Sequence, residues 1–132
     1  MVIGAWLLVA AAAVDPAPRC DDPTTQLDMN LCAAEDYKRA DAALNAQWSV
    51  TATVMKAQDE VAGASGDGRP GYFQALLGAQ RAWLAFRDAQ CRIEGYAMRG
   101  GSAEPMAVSA CLADVTRART AQLKAMTANY RQ

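Results

Sequence analysis

The residue types that ordinarily do chemistry are thinly supplied in this sequence. No histidine occurs among its 132 residues, so a general base, a metal site or an activated nucleophile would have to be assembled from carboxylates and four cysteines. The carboxylates that stand together, Asp21 with Asp22, Glu35 with Asp36 and Asp59 with Glu60, are sequence neighbours. Adjacent positions on a helix diverge by about 100°, so these pairs do not converge on one substrate, and solvated helix faces account for them. Met29, Met55, Met98, Met106 and Met126 form no close Met-x-x-Met cluster, which leaves core packing rather than copper as their use. Neither catalysis nor a metal or other cofactor is expected.

Two other groups of residues carry more. Cys20, Cys32, Cys91 and Cys111 are even in number and contain no Cys-x-x-Cys spacing; in an exported chain they read as two disulfides, with three pairings formally open. The glycine-rich runs 63–71 and 98–105 hold Arg69 in the first and Arg99 with Ser102 in the second. Flanking glycines let backbone N–H groups approach a surface closely, so these three are candidate partner-binding donors.

The elements that must position such residues are helices. A composition that is 52% hydrophobic and 20% charged suits one globular domain. Thirteen basic against fourteen acidic residues give no general attraction to nucleic acid or anionic membrane. Residues 1–13, MVIGAWLLVAAAA, form an uncharged apolar run far shorter than the roughly 20 residues of a membrane span. They read as a signal peptide cleaved after Ala13, leaving no stable membrane insertion and a periplasmic or secreted product. Residues 14–23 are a proline-containing linker, in which Ala17, Pro18 and Arg19 do not make Cys20 a lipid-attachment site.

From Thr24 to Ala62 neither glycine nor proline intervenes, and Tyr37, Ala40, Leu44, Trp48, Thr51 and Met55 recur at helical spacing. Thr25 with Asp28 resembles a weak capping box. A second helix is expected from Tyr72 to Glu94 or Gly95, with a stripe of Phe73, Leu76, Leu77, Trp83, Leu84 and Cys91. The third starts at Ser102 or Pro105 and carries Val108, Leu112, Val115, Arg119, Leu123, Met126 and Tyr130. No alternating run could build a sheet. The expected fold of residues 24–132 is an all-α bundle of three long antiparallel helices, monomeric, with room for a short extra helix.

Polar residues interrupt the apolar stripes. Gln80 and Arg87 lie on the second, Arg119 lies mid-stripe on the third, and Asp41 and Asn45 flank the first. A buried guanidinium must meet a carboxylate, carbonyl groups or water, or else extend its head past an apolar stem. Asp41 and Asn45 are the expected partners of Arg87, with Asp88 and Asp114 as competitors.

The joint spacing of these residues resembles a known family. Cys20, then Gln26, Met29, Asn30, Cys32 and Ala33; Asp41, Leu44 and Asn45; Gln80, Ala82, Trp83, Phe86, Arg87, Asp88 and Cys91; Gly100, Gly101 and Ser102; and Cys111, Thr116, Arg119 and Leu123 together resemble the LprI-type lysozyme inhibitors. Two departures stand out: Phe86 occupies a position where tyrosine is frequent, and the GASGDGRPG run lengthens the first loop. The resemblance implies a small exported helical domain, in which Gln80, Arg87, Asp41 and Asn45 are an internal polar framework rather than an active site.

On this arrangement Cys20 is expected to pair with Cys32, and Cys91 with Cys111 across the Gly100–Gly101 turn. The function that follows is stoichiometric binding of a lysozyme or other muramidase. Such an enzyme uses paired carboxylates, so the loops with Arg69, Arg99 and Ser102 could plug its cleft; alternatively, Asp21, Asp22, Glu35 and Asp36 could meet a basic surface. A structural or interaction module of the bacterial envelope, with no lysozyme target, is the rival reading.

Overall fold

The computed structural model describes residues 19–63 and 66–131; the expected signal peptide and residues 14–18 of the linker lie outside them. Three helices follow in order, α1 (Gln26–Ala62), α2 (Tyr72–Gly95) and α3 (Glu104–Tyr130), with one 3-10 turn (Tyr96–Met98) after α2. Their limits fall where glycine and proline interrupt the apolar periodicity.

α1 starts as its sequence suggests. The Thr25 Oγ1 accepts the Asp28 N–H at 3.0 Å and donates to the Asp28 carboxylate at 2.8 Å, satisfying one of the helix's unpaired donors. It ends at Gly63, whose φ of 62° suits glycine and whose N–H reaches the Asp59 carbonyl.

The start of α2 has a less obvious cause. Its N-cap is Gly71, which has no side chain to offer, and the cap is supplied by Asp59 from the end of α1. Its two carboxylate oxygens accept the N–H groups of Tyr72 at 2.6 Å and Phe73 at 3.0 Å. A Cβ at position 71 would lie 2.5 Å from Asp59 Oδ1, so glycine is what lets the carboxylate reach the helix end. Asp59→Ala is therefore expected to destabilise the protein by about 1–2 kcal/mol. Urea denaturation of the variant and of Gly71→Ala checks this; both should lose stability through the same contact.

Consecutive helices run antiparallel, Asp41 lying opposite Arg87 and Gln80 opposite Arg119. α1 and α3 are consequently parallel: Gln26 meets Met106, Asp36 meets Arg117 and Gln58 meets Tyr130. This parallel pair makes the most extensive seam, and α2 lies along it as a shorter third rod. Leu44, Met55, Leu76 and Leu123 form the core, with Trp48, Phe73, Trp83 and Met126 packed around it.

The stripe expected of α3 is rotated in the structure. Its most buried positions are Ala113, Thr116, Leu123 and Thr127, whereas Val108, Leu112, Val115, Arg119 and Met126 are half-buried and Tyr130 is exposed. Small residues line the α1–α3 contact because they let two backbones approach. The Thr51 and Thr127 hydroxyls meet at 2.8 Å, and Gln47 Nε2 donates to both at 3.2 Å. On α2, Leu84 is exposed rather than buried, since a helix lying on a two-helix seam covers a narrower arc than its apolar stripe.

Both disulfides form, Cys20–Cys32 and Cys91–Cys111. The second draws α2 and α3 together so closely that a Cβ on Gly95 would lie 2.4 Å from Val108 Cγ2.

Candidate functional site: an arginine network between two loop ends

Arg87 is the most deeply buried charge among the described residues, its side chain 8% exposed. Asp88, the next residue on α2, accepts from its Nε and Nη2 at 2.9 Å each. Asp41 of α1 stands 3.6 Å from Nη1, an ion pair without a hydrogen bond. The neighbouring carboxylate is thus the tighter partner, because it reaches the head without crossing between helices. Asn45 makes no hydrogen bond to Arg87 among the described residues; it is exposed and donates to Asp41 at 3.2 Å. Asp114 is exposed and makes no bond to Arg87 among the described residues.

The guanidinium also lies against two aromatic rings, 5.2 Å from the Trp83 centroid and 5.5 Å from that of Tyr37. Arg119 approaches the same indole from α3 at 5.9 Å. Its Nε donates to the Gln80 Oε1 at 2.9 Å and its Nη1 to Gln122 at 3.2 Å. Burial lowers the Arg119 pKa because desolvation disfavours the cation, yet arginine stays charged in proteins.

Trp83 therefore joins two arginines, and the network crosses all three helices from Asp41 through Arg87 and Arg119 to Gln80. Cation–π contacts of this kind contribute about 0.5–2 kcal/mol each, and the planar guanidinium suits them better than lysine would. Sequence reasoning located Gln80, Arg87 and Arg119 but missed Tyr37 and Trp83 as partners, since their apolar rings read only as core. Phe86 is exposed, so the missing hydroxyl at that position takes nothing from this network.

The loop donors are placed differently. Arg69 is held by Asp67, which accepts from its Nε at 2.6 Å and from its backbone N–H at 2.9 Å. Arg99 lies over the Tyr96 ring at 4.7 Å, and the Ser102 carbonyl accepts from Asn30 Nδ2 at 2.9 Å. The 24 residues of α2 separate the two loops, a rise of about 36 Å. Arg69 and the Arg99–Ser102 pair thus sit at opposite ends and cannot enter one cleft together. Of the adjacent carboxylates, Asp36 holds Arg117 and Arg39, Glu35 faces Lys38, and Asp59 caps α2.

Residues 20–123 match the profile of the family described as lysozyme inhibitor LprI. The chain belongs to that family. The matched stretch opens at the Cys20–Cys32 bridge, includes the whole arginine network and closes at Leu123 in the core. Another similar chain is an uncharacterized protein, R02472, of Rhizobium meliloti (strain 1021). It is 46% identical over 114 residues, covering 86% of this LprI-family chain and 82% of that protein. No solved structure matches.

Proposed function

We propose that this LprI-family protein is an exported inhibitor that binds a lysozyme-type muramidase one-to-one and blocks it without turnover. The observation that carries the reading is the family match across residues 20–123. Two disulfides fit an oxidising compartment outside the cytoplasm, and no helix among the described residues is long and apolar enough to cross a membrane. Asp41, Asn45, Gln80, Arg87 and Arg119 act as scaffold in this reading. Their polar atoms are turned on one another and on Trp83, which keeps three helices in fixed register and presents rigid ends to a partner.

Titration against chicken-type, goose-type and invertebrate-type lysozymes tests the proposal. Cell-wall clearing by one class should fall linearly with added protein to an end point near equivalence, with the protein recovered intact. Undiminished clearing by all three would leave the envelope-module reading in its place.

A further inference from the structure

We propose that the docking surface is the disulfide-bonded end of the bundle and that its partner is the cationic surface of a muramidase. This rests on the function proposed above and assigns it a place. Because α1 pairs antiparallel with α2, with Asp41 opposite Arg87 and Asp59 opposite Tyr72, the first two turns of α1 project past the end of α2. Leu27 and Leu31, one turn apart on that projection, are exposed, Leu27 by 67%. Ile93, 58% exposed, and the exposed Tyr96 and Met98 belong to the same end, and the Asn30–Ser102 bond fastens the turn to α1. Large apolar side chains gathered this way at one end are the usual core of a docking surface.

The surrounding charge identifies the occupant. Asp21, Asp22, Asp28, Glu94 and Glu104 belong to the same end of the bundle, and none has an ion pair among the described residues. The cations at this end are Arg19, Arg92 in the last turn of α2, and Arg99, which is drawn over Tyr96. The opposite end carries Lys56, Arg69, Lys124 and Arg131 against Asp59, Glu60 and Asp67, so a net charge of −1 conceals an acidic excess at the disulfide-bonded end. An acidic rim repels anionic lipid and attracts a basic protein. An enzyme that works on a carboxylate-bearing wall polymer is guided there by positive surface.

The surface is also pre-ordered. The Cys20–Cys32 bridge holds the Asp21–Asp22 segment against α1, and the Gly100 N–H to Glu104 bond at 2.8 Å shapes the turn. Little ordering entropy is then lost on binding.

The experiment is surface plasmon resonance of the purified protein over immobilised chicken-type, goose-type and invertebrate-type lysozymes. Against a lysozyme that binds wild type, Leu27→Ser and Ile93→Ser should each weaken affinity about tenfold or more. Both residues are more than half exposed, and unchanged melting curves will show that folding is kept. Asp21→Lys with Asp22→Lys should slow association about tenfold at low salt, the difference closing as salt is added. Arg69→Ala, at the opposite end, should bind as wild type does. Wild-type affinity in all the end variants, or loss confined to Arg69→Ala, overturns this surface while leaving inhibition standing. Failure of wild type to bind any of the lysozymes overturns the inhibitor reading and the surface together.

Discussion

Arg87→Ala is expected to destabilise the bundle by about 2–4 kcal/mol. The loss has two sources. Truncation leaves a cavity beside Trp83 and Tyr37 and removes the cation–π contacts to both, and it takes away the donors that Asp88 and Asp41 share. The carboxylates themselves suffer little, because Asp41 is 40% and Asp88 57% exposed and water can replace the guanidinium. That exposure sets the direction of a second comparison. Arg87→Met keeps a packed stem and should recover about 1–2 kcal/mol of the alanine loss. Thermal melts followed by circular dichroism measure both; melting of the two variants together with wild type would mean that the head contributes nothing.

Removing the Cys91–Cys111 bridge, as Cys91→Ala with Cys111→Ala, is expected to cost about 3 kcal/mol, the entropy released to the unfolded chain by opening a loop of this size. Its sequence separation is 20, against 12 for Cys20–Cys32. Place in the fold widens the contrast. Cys91 is fully buried where Gly95 and Val108 press α2 against α3, whereas Cys20 is exposed before the first helix. Under graded dithiothreitol the Cys20–Cys32 bond should open first with little change in helicity, and loss of helicity should accompany opening of Cys91–Cys111. Peptide mapping against ellipticity checks the order.

Much of this architecture is legible in the sequence because its punctuation is strong. The glycine-rich runs at 63–71 and 98–105 delimit helices whose lengths leave an up-down-up bundle as the simple solution, and that order makes α1 and α3 parallel. Arg87 could be placed inside because it lies on a stripe with Leu76, Trp83 and Cys91. What escaped depends on tertiary geometry. Ala113, Thr116 and Thr127 form the closest seam of α3, but periodicity read from large apolar residues passes over small ones. Asn45 lies near enough to a buried stripe to look internal, and only the position of α2 leaves it in solvent. The Asp59 cap spans the first loop, and its sequence trace is indirect: Gly71 begins a helix with no side chain to cap it.

If, as proposed, the rigid bundle presents its disulfide-bonded end to a muramidase, the arginine network inside should stay unaltered on binding. Hydrogen exchange of the protein, alone and with a saturating amount of a lysozyme that it binds in the titration, is the deciding measurement. The first N–H groups of α1 and those of the 96–103 turn lack the full helical ladder and should exchange quickly in the free protein. Slowing should be confined to residues 20–34 and 93–104, with exchange near Trp83 and in the 66–71 loop unchanged. Protection centred on the 66–71 loop, or exchange indifferent to the enzyme, would contradict it.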